Sequence, residues 1–311
     1  MIEIAATLLP VFLVIVAGYA LHRLGFLDEP TASALEHVCY YLLFPALIVR
    51  TVAAADFSQI SVLRLVAGFW MALAAAVLLL ILLRPLLKRA FQIDDPAFTS
   101  LFQGSLRWHG FMALAMITAL FGTGAVPIVA VGLAALVPVL NVISVSALLR
   151  WGERGEAQTS GIARQLATNP FIIACGLGAL LNATGIGMPE PANATLKLLG
   201  DAALGVTLLA TGAGLRPITT TGENGAIVFC SLYRLILMPL IFFAALSLAG
   251  VTGHVRTVAV LCGAVPTAAS AYVLARKLGG NAPLMAGMIT AQTIAAAVTL
   301  PMVIYLLKLA E

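Results

Sequence analysis

Two short polar islands interrupt long apolar stretches of this chain, and their residue types point to anion binding. The first, Gln103-Gly104-Ser105-Leu106-Arg107-Trp108-His109-Gly110, places an arginine and a histidine between two glycines. The second, Gly263-Ala264-Val265-Pro266-Thr267-Ala268-Ala269-Ser270, centres on a proline flanked by hydroxyls. Proline lacks the N–H that a helix needs and clashes with the carbonyl four residues earlier, so it frees backbone groups that lipid cannot satisfy. Gly104 and Gly110 give the first island the same tendency to leave the helix. Half-helices that begin at such breaks expose unpaired N–H groups and the positive end of a dipole. With Arg107 and His109 added, the site is electropositive, and a small organic anion is the natural ligand.

Further polar side chains stand in neighbouring apolar runs. Asn141, Thr267, Ser270, Gln292 and Thr293 are candidate partners for the anion, alongside Arg107, His109 and Pro266, while Gly104, Gly110 and Pro266 mark the breaks or gates. Each polar residue could instead make a helix-to-helix hydrogen bond. Asp201 is the one acidic residue well inside an apolar run, and either carries a coupling proton or cation, a role His109 could share, or pairs with a base such as Lys197. Ser105 and His109 have the spacing of a nucleophile and base, but no orienting acid accompanies them, which leaves an intramembrane hydrolase as the weakest alternative. The cysteines, Cys39, Cys175, Cys230 and Cys262, lie in apolar stretches without metal-ligand spacing, so no metal and no cofactor is expected.

The elements that position these residues follow from composition. Of 311 residues, 61% are hydrophobic and 10% charged, whereas a soluble domain carries roughly 45–50% apolar and about 25% charged residues. Such an excess excludes a DNA-binding protein, a secreted disulfide scaffold and a disordered chain. Ten apolar runs can be read, at 4–21, 34–51, 63–83, 98–121, 126–149, 166–183, 195–215, 226–248, 257–278 and 283–307. The expected fold is therefore all-α and polytopic, with ten transmembrane helices. The first run lacks a preceding basic segment and reads as a retained span, not a signal peptide. Arg107 follows Pro96 by eleven residues, or roughly 16 Å of helix, which puts the fourth-run island near the membrane midplane. Pro266 follows Arg256 by ten residues, a similar depth in the ninth run.

Basic residues set the orientation. With the N-terminus outside, ten Lys and Arg fall in cytoplasmic loops and five on the outer side, so both termini are expected outside. Residues 151–165 read as a cytoplasmic linker between a first five-helix repeat at 1–150 and a second at 166–311. A shift of 160 residues lays Pro10 on Pro170, Gly18 on Gly178, Gly25 on Gly185, Leu106 on Pro266 and Gly110 on Ser270. An odd number of helices per repeat makes the second copy inverted, and the two islands become symmetry mates, the arrangement that marks the binding site of secondary transporters.

These residues resemble the auxin efflux carrier family of transporters. The family includes bacterial malonate or organic-anion permeases and belongs to a larger group with the bile-acid sodium symporters. The resemblance runs nearly end to end. It rests on Phe44-Pro45-Ala46, on Gly104 to Arg107, on Val137-Pro138-Val139-Leu140-Asn141, on Pro266 to Tyr272 with Leu274-Ala275-Arg276 and Gly279-Gly280, and on Thr290 to Thr293 with Leu300-Pro301. It implies a scaffold of helices one, two, six and seven, a mobile unit of helices three to five and eight to ten, and crossing breaks in helices four and nine. It further implies elevator-type alternating access, a homodimer and a place in the bacterial inner membrane. Two positions depart from the family pattern: His109 stands where Asn is usual, and Asn281 where Asp is usual. A sodium-coupled symporter of the bile-acid type is the alternative within transport, though it needs a cage of carboxylates and carbonyls and membrane carboxylates are few here.

Overall fold

The computed structural model describes residues 2–55, 60–153, 168–216 and 223–309. In chain order the first helices are α1 (Ile2–Arg23), α2 (Glu29–Val38), α3 (Phe44–Ala53), α4 (Val62–Phe91), α5 (Asp95–Leu106), α6 (Gly110–Phe121) and α7 (Val126–Trp151). There follow α8 (Pro170–Thr184), α9 (Glu190–Ala213), α10 (Asn224–Leu232), α11 (Met238–Leu248), α12 (Gly253–Ala264), α13 (Ser270–Lys277) and α14 (Ala282–Leu309). No strand occurs among the described residues.

Seven helical stretches among the described residues are long and apolar enough to cross a membrane: Ala6–Arg23, Glu29–Ala53, Val62–Phe91, Thr123–Trp151, Glu190–Ala213, Asn224–Leu248 and Ala282–Leu309. Three of the ten expected runs take another form, because they are broken or only partly described. The fourth run is two 12-residue helices, α5 and α6, parted by Arg107, Trp108 and His109. The ninth is α12 and the 8-residue α13, parted by Val265 to Ala269. The sixth is the 15-residue apolar helix α8, and most of the expected linker before it lies outside the described residues.

Two of the long spans contain a widened turn. The π turns Cys39–Leu43 and Tyr233–Leu237 join α2 to α3 and α10 to α11, and each stands just ahead of a proline, Pro45 and Pro239. A proline has no N–H for the carbonyl four residues back, and the helix accommodates it by shifting to a longer bond: the Phe44 N–H donates to Cys39 O and the Met238 N–H to Tyr233 O. In the second span the widening falls on Arg234, which proves central below.

The chain divides into two compact units. One comprises Met1–Val62, Gly110–Ala134 and Gly161–Gly214. Within it α1 and α9 pack backbone to backbone. A Cβ on Gly18 would lie 2.1 Å from Leu209 O, and one on Gly212 would lie 1.9 Å from Ile15 O, so only glycine fits at either position. Phe44 stacks on Phe111 at 4.5 Å in the same unit.

The other unit comprises Leu63–His109, Ala135–Ser160 and Leu215–Glu311. Here α5 is fixed at its start. The Asp94 carboxylate accepts from the Ala97 N–H, capping the helix, and Pro96 supplies the preset backbone of a first turn. Arg84 and Lys88 both reach Asp95, at 2.7 and 2.6 Å, and the Arg84 guanidinium lies over the Trp151 ring. At the start of α14 the Asn281 side chain accepts from the Leu284 N–H and donates to Glu223. Burial first, and then the Asp94 carboxylate, push the Glu223 carboxyl above its usual range, against the Asn281 hydrogen bond.

Candidate functional site

Both helix breaks lie in the second unit, and they touch. The His109 N–H donates to Pro266 O at 2.9 Å. Each break leaves carbonyls without their helical donors, and the polar side chains around them supply replacements.

Gly104 O loses its helical donor because Trp108 has left the helix. It accepts instead from Thr267 Oγ1 and from Gln292 Nε2, the latter at 3.0 Å. The same Gln292 amide accepts the Thr267 N–H at 2.9 Å through Oε1. One glutamine of α14 thus ties the two broken segments together. Cys262 O is the carbonyl that Pro266 orphans, and Arg234 Nη2 donates to it at 3.4 Å. Arg234 Nε donates to Val265 O at 2.8 Å, and Nη1 to Leu106 O at 3.4 Å.

Arg107 is the last link of α5, extended where the helix stops. Its Nη1 donates to Asn141 Oδ1 at 2.9 Å and its Nη2 to Ser270 Oγ at 3.2 Å, the first residue of α13. Both partners are neutral. Among the described residues no carboxylate forms an ion pair with Arg107 or with Arg234. Two buried polar atoms beside the break, Trp108 Nε1 and Gln103 Oε1, have no hydrogen-bond partner among the described residues.

Of the residues singled out by sequence, Arg107, Asn141 and Ser270 are joined by hydrogen bonds, Thr267 and Gln292 meet at Gly104 O, and His109 meets Pro266, all at the two breaks. Gly110 opens α6 directly after His109. Thr293 is buried and donates into its own helix at Ile289 O. Asp201 stands apart in the first unit, exposed, with its carboxylate 2.6 Å from Lys197 Nζ. Ser105 donates to Cys230 Sγ at 3.5 Å.

Gly104 is closely enclosed. A Cβ there would sit 2.9 Å from both Cys230 Sγ and Met288 Sδ, so α5, α10 and α14 close on this point. Gly104→Val is expected to destabilise the protein by about 2 kcal/mol, through overpacking against the short cysteine side chain. The thermal midpoint in detergent measures this, and an unchanged midpoint would show that the contact can relax.

A family model described as a membrane transport protein matches residues 3–304, nearly the whole chain. The chain belongs to this family, the auxin efflux carrier family. A protein of Rhizobium meliloti (strain 1021) named "Putative malonate transporter" is 30% identical over 152 residues, covering 48% of this chain and 47% of its own length. The match therefore spans about half of that relative. As a member of the auxin efflux carrier family with several helices long and apolar enough to cross a membrane, it is a multi-pass membrane protein.

Two residues at these breaks were not singled out by sequence. Arg234 is fully buried, yet a lone arginine whose partners are main-chain carbonyls leaves no motif. Cys230, read only as a packing residue, accepts from Ser105 and Gln292. The one available signal was the proline two residues after the widened turn, which marks where Arg234 stands.

Proposed function

We propose that this protein is a secondary transporter of small organic anions, mono- or dicarboxylates, bound where the two breaks meet. The observation that carries this reading is Arg107, a guanidinium whose side-chain partners among the described residues are the neutral Asn141 and Ser270. A cation inside a membrane protein is costly unless it meets a counter-charge, backbone carbonyls or a water-filled cavity, and a substrate carboxylate supplies the first of these to Arg107. Arg107 offers the fork, His109 and the unpartnered Trp108 Nε1 offer further donors, and Ser270 opens α13 at its positive end. Thr267 and Gln292 hold the Gly104 carbonyl at the same break. The R. meliloti relative, by its name, agrees with a dicarboxylate as the class to test first.

The architecture we propose has ten crossings. The seven long spans, the short helix α8 and the two broken pairs, α5 with α6 and α12 with α13, amount to that number. Two inverted five-helix repeats, 1–150 and 166–311, make the breaks symmetry mates. Elevator-type alternating access, a homodimer through helices one, two, six and seven, and residence in the bacterial inner membrane with both termini outside complete the proposal. Asp201, already paired with Lys197, takes a coupling role only if that pair opens.

Uptake of labelled malonate into proteoliposomes holding the purified protein tests the function. Saturable uptake, competed by other small carboxylates, is the expected result, and no uptake of any such anion rejects the reading. For the topology, labels at Glu3, Gly155 and Glu311 should report outside, inside and outside. An inside C-terminus rejects the ten-crossing arrangement.

A further inference from the structure

Arg234 is 0% exposed, among the described residues it has no carboxylate in an ion pair, and it is not part of the anion site described above. Each of its three nitrogens donates to backbone: Nε to Val265 O, Nη1 to Leu106 O and Nη2 to Cys262 O. These carbonyls have a common origin. Leu106 is the last residue of α5, while Cys262 and Val265 belong to the end of α12, so the negative ends of two half-helices converge on one cation.

Such a convergence is a cation site in its own right. Half-helix C-termini and unwound carbonyls are the groups with which broken-helix transporters hold a coupling cation. In this chain these carbonyls already face a cation carried on the π turn that continues α10, and the turn's widening falls on that residue. A sodium ion on the same oxygens would sit against the fixed positive charge of the guanidinium, and like-charge repulsion disfavours binding both.

We infer that Arg234 is a tethered cation that joins the C-terminal ends of the two half-helices, a positioning residue that stands in for a dissociable coupling ion, so that anion transport proceeds without sodium. The inference rests on the transport reading proposed above for its functional half. Its structural half is independent of that reading: the breaks hold their arrangement because a fixed positive charge replaces a bound ion.

The test uses the full chain, purified and reconstituted, with labelled malonate as the probe. Replacing sodium by choline on both sides should leave wild-type flux unchanged within about twofold. Arg234→Met keeps the volume and removes the charge, which strands the three carbonyls, and should lower flux by at least about tenfold. Arg234→Lys restores a charge on a similar stem and should recover a large part of that loss, a recovery that packing alone would not produce. Sodium-stimulated wild-type flux, wild-type flux in Arg234→Met, or a lysine variant no better than the methionine one would each overturn the inference. Should Arg234→Met fail to fold, sodium-independent flux in Arg234→Lys is the supporting result. If wild type carries no small carboxylate at all, the transport reading fails separately. Thermal midpoints then decide the structural half: a saturable rise of the wild-type midpoint with sodium chloride over choline chloride overturns it, and no such rise together with a lower midpoint in Arg234→Met supports it.

Discussion

Arg107→Gln should weaken binding of the best small carboxylate by about 10- to 100-fold, the equivalent of one hydrogen bond to a charged group. The expectation follows from what the guanidinium does in the resting site. Its two amino groups are spent on Asn141 Oδ1 and Ser270 Oγ, both neutral acceptors, so its charge is available to a ligand. Glutamine retains a donor toward Asn141 and removes the charge. Arg107→Lys should be intermediate, because an ammonium keeps the attraction but not the planar fork that fits a carboxylate. Because Arg107 is partly exposed and its resting partners are uncharged, neither substitution should cost the protein its fold. Isothermal titration with malonate, alongside the thermal midpoint without ligand, separates the two effects. Wild-type affinity in Arg107→Gln would show that the anion binds elsewhere.

The breaks were legible in the sequence because a membrane span has so little polar vocabulary. Arg107, His109 and their glycines stand out in an apolar run, as Pro266 does with Thr267 and Ser270, and a break is the only economical reason for either cluster. Gln292 and Asn141 could be named as polar residues in the right spans, but not assigned partners. Whether a glutamine meets a ligand or a carbonyl is decided by the backbone opposite it, and here Gly104 O and the Thr267 N–H lie opposite. Arg234 could be read only as a charge inside the eighth apolar run, without its partners. Its partners are carbonyls exposed by breaks more than a hundred positions earlier and about thirty later, and main-chain oxygens carry no residue signature. The fourth, sixth and ninth runs illustrate the same limit at the level of elements. Hydropathy locates an apolar run, whereas the helix inside it ends where a donor is missing or the chain turns out.

His109 gives the second expected result: anion affinity that strengthens as pH falls from 8 to 5. His109 is buried, two positions after Arg107, and its backbone N–H is fixed on Pro266 O. An arriving carboxylate favours the charged ring, because it accepts a hydrogen bond from the imidazole and compensates its charge. Proton and anion then bind together, and by reciprocity each raises the affinity for the other. The sign is fixed: acid strengthens anion binding, and the dependence flattens above the histidine's titration range. A dicarboxylate adds a second titrating group of its own, so the comparison is made with a monocarboxylate that stays ionised across the range. His109→Asn supplies a neutral donor of similar reach and should keep measurable binding while losing most of the pH slope. A flat wild-type profile, or an equal slope in the asparagine variant, would mean that the imidazole serves only as a neutral hydrogen-bond donor and that any coupling proton is carried by another group.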